Sequence, residues 1–347
     1  MEVVARIPEG PDCRCIGGSV GLKVVTNQPN AKPGSCLEEE RPSAPWRVCY
    51  RIGEVSLGLS SSGDFHPHVD SQFDLFRAND LLDGDAACDI EIAFQWADEL
   101  LPPAGKLLFD SGSVWKLYDG LAGDGGMVFD FASSAIGPDP YKRLHVDRDF
   151  RHALLLVNRS YFSEGSDCNL LEYPLDELAV MHRLGRERGV EVHAAGLYDA
   201  DLRVVGRGGF LFIGHSGAGK STTTRLWRER HNVTILSDDR IILRKHEGQV
   251  WMHGTPWHGE AAFAAAEKCK IDRLFILEHA PANRITQLRG SQAVGELMAR
   301  SFLPFYDGPS LESTMAFLEE IVETIPCYRL EFLPDASAVE AVLSFGP

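Results

Sequence analysis

An α/β fold is expected for this chain, with a mainly β first half and a second half in which strands and helices alternate. Three observations predict it. Between residues 47 and 173, short apolar-alternating runs dominate (106–110, 114–118, 127–131 and 153–157), and Gly/Asp clusters such as 119–126 separate them as hairpin or loop signals. From Pro174 the period becomes helical: Leu175, Leu178, Met181 and Leu184 recur at helix spacing, Pro174 opens the segment and Gly189 closes it. Finally, a compact apolar run, 210–213, leads into a glycine-rich turn and then a helix-compatible segment, 220–230.

The elements follow in order. Residues 1–46 are rich in Pro, Gly, Asn and Ser, with apolar patterning only around 20–25, and read as an irregular extension. Residues 47–173 form a β-rich domain, expected to be antiparallel. Residues 174–347 form the second domain. Within it the expected elements are a helix at 174–188, strands at 190–197, 203–205 and 210–213, a helix at 220–230 and a strand at 233–237.

Length and composition exclude several classes. The 347 residues suffice for two domains, and 44 % hydrophobic with 24 % charged residues is a globular composition. A net charge of −16 repels nucleic-acid phosphates and anionic lipid, and no basic patch offsets it. No apolar run nears the roughly 20 residues of a membrane span. Glu2, Arg6 and Glu9 leave no apolar stretch for a secretory leader. The eight cysteines are scattered without a CxxC pair, which suits reduced thiols and a cytoplasmic location. Cys13, Cys15, His66 and His68 are the remaining metal candidates, but they lack the paired spacing of zinc modules.

The chemistry concentrates at Gly214, His215, Ser216, Gly217, Ala218, Gly219, Lys220 and Ser221, followed by Thr222. This run matches the full G-x-x-x-x-G-K-[ST] pattern between strand and helix. Glycines let backbone N–H groups curl around phosphate oxygens, and the helix N-terminus adds partial positive charge. Lys220 supplies a cation for the β- and γ-phosphates, and Ser221 is placed to ligate Mg²⁺. Eighteen positions after Lys220 comes Asp238-Asp239, close enough for one helix and one return strand to bring the pair beside the loop. If the strand persists through the pair, alternation sends the two carboxylates to opposite faces, one suited to Mg²⁺ and one to taking a proton from an attacking hydroxyl. Upstream, His193 lies in the strand expected beside the loop. Downstream, residues 254–260 (GTPWHGE) form a rigid turn in which Glu260 is a further Mg²⁺ candidate and Trp257 or His258 a nucleotide or substrate contact.

His193, the loop 214–221, the acidic pair and 254–260 together resemble the C-terminal catalytic domain of the HPr kinase/phosphorylase family. The resemblance is closer to the HPr-kinase-like proteins of bacterial peptide-modification clusters, and it covers about 174–333. It implies a P-loop kinase domain of the HPr kinase type, with ATP and Mg²⁺ as cofactors and transfer of the γ-phosphoryl group to a serine or other hydroxyl. The acceptor would belong to a peptide, protein or small molecule. By the same likeness Lys220 sits on the phosphates and Ser221 on Mg²⁺, Asp238 is the base, and Asp239 is held near His193 or the metal, with the two aspartate roles interchangeable. Homo-oligomers also follow from it. The family's arginine-bearing signature after the acidic pair is absent and 254–260 occupies its place, so HPr as acceptor and the reverse, phosphorolytic reaction do not follow. Arg300 is a candidate late arginine for transition-state charge. Two other readings stay open: an ABC-like ATPase, for which the LSGGQ-like signature is missing, and a nucleotide-stabilised scaffold without phosphotransfer.

Overall fold

The computed structural model describes residues 46–345 apart from 62–67, 83–86, 121–124, 138, 163–167 and 204–206. The expected extension at 1–46 therefore lies, save Trp46, outside the described residues, as do Cys13, Cys15 and His66. His68 pairs with Asp70 at 3.2 Å.

The first half is one eight-stranded sheet. Its strands are β1 (Trp46–Ile52), β2 (Val55–Ser61), β3 (Ile90–Ala97), β4 (Leu107–Asp110), β5 (Trp115–Asp119), β6 (Met127–Phe131), β7 (Lys142–Val146) and β8 (His152–Asn158), in the order β1-β2-β3-β8-β7-β6-β5-β4. The expected antiparallel sheet is in fact mixed: β3 runs parallel to both β2 and β8. Residues between β2 and β3 include two short 3₁₀ turns that carry the chain back over the sheet, a crossover that periodicity of single strands does not encode.

The second half alternates as expected. It comprises α1 (Leu175–Arg186), β9 (Gly189–Asp199), α2 (Ala200–Arg203), β10 (Gly209–Ile213), α3 (Lys220–Arg228), β11 (Val233–Ser237), β12 (Arg240–His246) and β13 (Gln249–His253). It continues through β14 (Lys268–Lys270), β15 (Arg273–His279), β16 (Arg284–Leu288), α4 (Gly290–Met298), β17 (Ser301–Phe302), α5 (Gly308–Thr324), β18 (Cys327–Phe332) and α6 (Ala336–Ser344). The expected strand at 203–205 is contradicted at Arg203, the last residue of short α2. There the Asp199 carboxylate accepts from the amides of Asp201 and Leu202 and starts a helical turn instead.

The second sheet is also mixed, ordered β14-β13-β12-β9-β10-β15-β18-β16, with β11 and β17 also pairing β9. Strand β9 is its hub, because 11 almost wholly buried residues give it partners along its whole length. Apolar side chains cover both faces. Phe317 and Ile321 of α5 and Leu297 of α4 pack on one, Trp227 of α3 and Val339 of α6 on the other. A third core joins the two halves: Phe129, Leu155 and their neighbours share it with Leu178 and Leu184 of α1, Ile242 of β12, Trp257 and Tyr306. Among the described residues no helix is long and apolar enough to cross a membrane.

Candidate active site

The entirely buried strand β10 delivers the chain to the glycine-rich loop, whose crest His215-Ser216-Gly217 is exposed and whose foot at Gly214 and Ala218 is buried. The turn demands glycine at two places. Gly217 has φ +80° and Gly219 φ +97°, and a Cβ on Gly219 would lie 2.6 Å from the Phe332 ring. His279 stacks on Phe332 and sits 3.1 Å from the Gly217 carbonyl, bracing the loop from β15. Helix α3 begins at Lys220 with Gly219 as its N-cap and no side-chain cap, so its first N–H groups face the loop as anion donors. Thr222 is half-buried on its first turn.

Lys220 does not point to solvent. Its side chain is 5 % exposed, and its Nζ donates to the Gly214 carbonyl at 3.0 Å and lies 2.7 Å from His193 Nε2 and 3.5 Å from Asp239 Oδ1. Burial lowers its pKa against the opposing pull of Asp239. His193 Nε2 is also 2.9 Å from Asp239 Oδ1. One ring nitrogen thus faces both an ammonium and a carboxylate: protonated it donates to Asp239, bare it accepts from Lys220. Burial alone would raise the Asp239 carboxyl. The His193 hydrogen bond, with the Arg240 and Lys220 charges, more than offsets that and holds it below the usual carboxylate range. Backbone bonds fix the arrangement, since the His193 amide donates to the Arg300 carbonyl at 2.8 Å and the Ala194 amide to the Asp239 carbonyl at 3.0 Å.

Strand β11 ends at Ser237, so the two aspartates lie in the bend before β12 and not in an alternating strand, and their surroundings differ. Asp238 is completely buried. Its carboxylate accepts from Ser221 Oγ at 3.0 Å and from the amides of Gly259, Ala261 and Phe263 at 2.9, 3.0 and 3.3 Å. Four donors from the protein already hold it, which suits an anchor more than a group that meets an incoming hydroxyl. Asp239 keeps 27 % of its side chain exposed. The expected metal set Ser221, Asp239 and Glu260 is regrouped accordingly, because Ser221 joins Asp238. Glu260 is exposed, between Gly259 and Ala261, two of the three residues whose amides hold Asp238. Among the described residues no group of three His, Cys, Asp or Glu side chains is placed to hold a metal ion. Ser221 and Asp238 nonetheless form the hydroxyl–carboxylate donor set that suits an ion arriving with its own phosphate and water ligands.

Three sequence candidates take other roles. Trp257 is buried in the shared core, its Nε1 donating to Asp176 Oδ2 at 2.6 Å, so it ties its loop to α1 and does not face a ligand. His258 is exposed, its Nδ1 3.2 Å from the Gly259 carbonyl. The Arg300 guanidinium is bound to Glu296, and only the Arg300 main chain touches the site, through His193.

Missed from sequence was Arg240. Its Nη1 donates to Asp239 Oδ2 at 2.5 Å, its Nε lies 3.3 Å from Glu191 and 3.5 Å from Glu177, and its guanidinium stands 4.4 Å over the Phe302 ring. Its place directly after the acidic pair was the available signal. Burial raises the carboxyls of Glu177 and Glu191, the latter well above its usual range.

No family model matches the chain, and no curated protein does. Among solved structures, the Hpr(Ser) kinase/phosphatase of Coxiella burnetii is similar over 36 % of this chain and 87 % of that one, at 14 % identity and a TM-score of 0.18.

Proposed function

We propose that this chain is an Mg-ATP-dependent kinase that transfers the γ-phosphoryl group of ATP to a serine or other hydroxyl of a peptide, protein or small molecule. Its second half would be the P-loop kinase domain, and its first half would help hold the acceptor. One observation carries the reading: Lys220, His193 and Asp239 converge at the foot of the glycine-rich turn, with Ser221 on Asp238 beside them.

In this reading the loop amides and the α3 N-terminus bind the phosphates. Lys220, held inward by the Gly214 carbonyl, follows the charge onto the β- and γ-oxygens. Mg²⁺ would be held by Ser221 and, through water, by Asp238, and when bound it neutralises phosphate charge. The acceptor oxygen attacks the γ-phosphorus. The bond from that phosphorus to the β–γ bridging oxygen breaks, its electron pair leaving with ADP. The hydroxyl proton passes to Asp239, where His193 shares it. A carboxylate with a lowered pKa is a weak base but is ionised at neutral pH. That suffices where the transition state is loose and proton transfer is late.

The test is phosphate transfer from Mg-ATP to a panel of serine peptides and amino alcohols, read by mass spectrometry. Lys220→Ala should abolish it, and a Lys220→Ala protein that transfers as well as wild type would remove the basis of the assignment.

A further inference from the structure

The Arg240 guanidinium, which binds Asp239, also meets Glu177, Glu191 and Phe302, and these three line a cavity of about 330 Å³ where the two halves of the chain meet. Its walls include Trp115 of the first sheet, Tyr173 two residues before α1, and Phe302 and Phe305; Tyr173 and Phe305 are exposed at its rim. Its polar lining is acidic, with Glu177 from α1 and Glu191 from β9. Glu191 is only 1 % exposed, yet neither carboxylate oxygen accepts a hydrogen bond. The fully buried Tyr306 hydroxyl, also in the lining, has no hydrogen-bond partner either.

The charges do not balance within the protein. Arg240 is shared among three carboxylates: it hydrogen-bonds Asp239, while its Nε makes no hydrogen bond to Glu191 or Glu177. A buried carboxylate without donors calls for a cation or a proton. Aromatic faces around it favour a cation on an apolar stem.

We infer that this cavity is the acceptor subsite, and that it takes a hydroxyl compound bearing an ammonium or guanidinium group on an apolar stem. This rests on the kinase reading above and specifies its substrate class. The cationic group sits against Glu191, Glu177 and the Tyr306 hydroxyl, and the stem lies between the aromatic walls. The hydroxyl reaches past Arg240 to Asp239. Burial raises the Glu191 carboxyl in the free protein, so an arriving cation displaces its proton.

The experiment uses the full chain and two probes of matched size, 2-phenylethylamine and 2-phenylethanol, with binding measured by saturation-transfer NMR and calorimetry. The amine should bind at least about tenfold more tightly than the alcohol, and Glu191→Gln should erase that preference. Phe305→Ala, at the exposed rim, should weaken both probes about threefold. Mg-ATP binding serves as the check that each variant is folded. Equal affinity for the two probes, or an amine preference that survives Glu191→Gln, overturns the assignment. A second arm compares transfer to a serine peptide with a neighbouring lysine and to its norleucine counterpart. Better transfer to the lysine peptide supports the inference, and equal transfer overturns it while leaving the kinase intact. An amine preference without transfer to any acceptor removes the kinase reading and leaves a cation-binding cavity.

Discussion

Replacing each aspartate of the acidic pair by asparagine separates catalysis from architecture. At Asp239 the change removes the group proposed to accept the proton, and an amide cannot replace it. A positioned general base contributes about 10²–10⁴ in rate, so the transfer step should slow by that factor, roughly 3–6 kcal/mol at about 1.4 kcal/mol per decade. Some stability should be lost, because the carboxylate is the counter-charge of Lys220 and Arg240, but less than at a fully buried site, since the side chain is partly solvated and an amide still bonds Arg240 or His193. Asp238 is different. Its two oxygens receive one hydroxyl and three amide donors, so whichever way an asparagine amide points, its NH₂ faces donors. With about 1–3 kcal/mol for each buried polar group left unsatisfied, Asp238→Asn should lose roughly 2–6 kcal/mol of stability, visible as a lower urea midpoint. Single-turnover transfer and urea unfolding on both variants decide the matter. An Asp239→Asn protein with wild-type transfer, beside an Asp238→Asn protein that is inactive but fully stable, would refute this division of labour.

Other consequences are open to measurement. Gly219→Ala places a Cβ against Phe332 at a positive φ; Mg-ATP affinity should fall at least about tenfold, and unaltered nucleotide binding would contradict the loop geometry. Trp257→Phe leaves buried Asp176 without its side-chain donor and should lower unfolding free energy by about 1–3 kcal/mol in urea titrations, with a smaller loss than about 0.5 kcal/mol counting against the contact. Burial raises Asp176 from 3.8 to about 7, so the folded chain holds a proton that the unfolded chain has released. Its contribution therefore makes stability fall as pH rises from about 4 to about 7, and urea midpoints across that window should decline less in Asp176→Asn. An identical decline in the variant would show that another group is responsible.

The local part of the site could be read from the chain alone. Loop, helix and acidic pair lie within twenty-six positions of one another, from Gly214 to Asp239, and their order forces proximity once the helix and return strand form. Strand alternation does not reach the two carboxylates, because β11 ends at Ser237 and the pair lies in the bend before β12, and their surroundings depend on long-range partners. Three backbone donors to Asp238 come from 259–263, and nothing near Asp238 in sequence announces them. Trp257 looked like an exposed loop aromatic because the chain around it carries Gly, Pro and His. Its burial follows from α1 arriving from eighty-one positions upstream. Likewise Glu177, Glu191 and Arg240 sit on three separate elements, and only the register of β9 against β12 brings the last two together. In the first sheet, strand existence was legible and strand direction was not, since the same alternating pattern serves parallel and antiparallel neighbours.

The seam at Ile242, Trp257 and Tyr306 has a practical outcome for anyone dissecting this protein. Those side chains are sealed beneath Phe129, Leu155 and the surrounding strands, so part of the interior belongs to both halves at once. Heating should melt the chain in one step. A fragment cut at Pro174 would bare a greasy flank and clump, so the second half must be studied with its β companion attached.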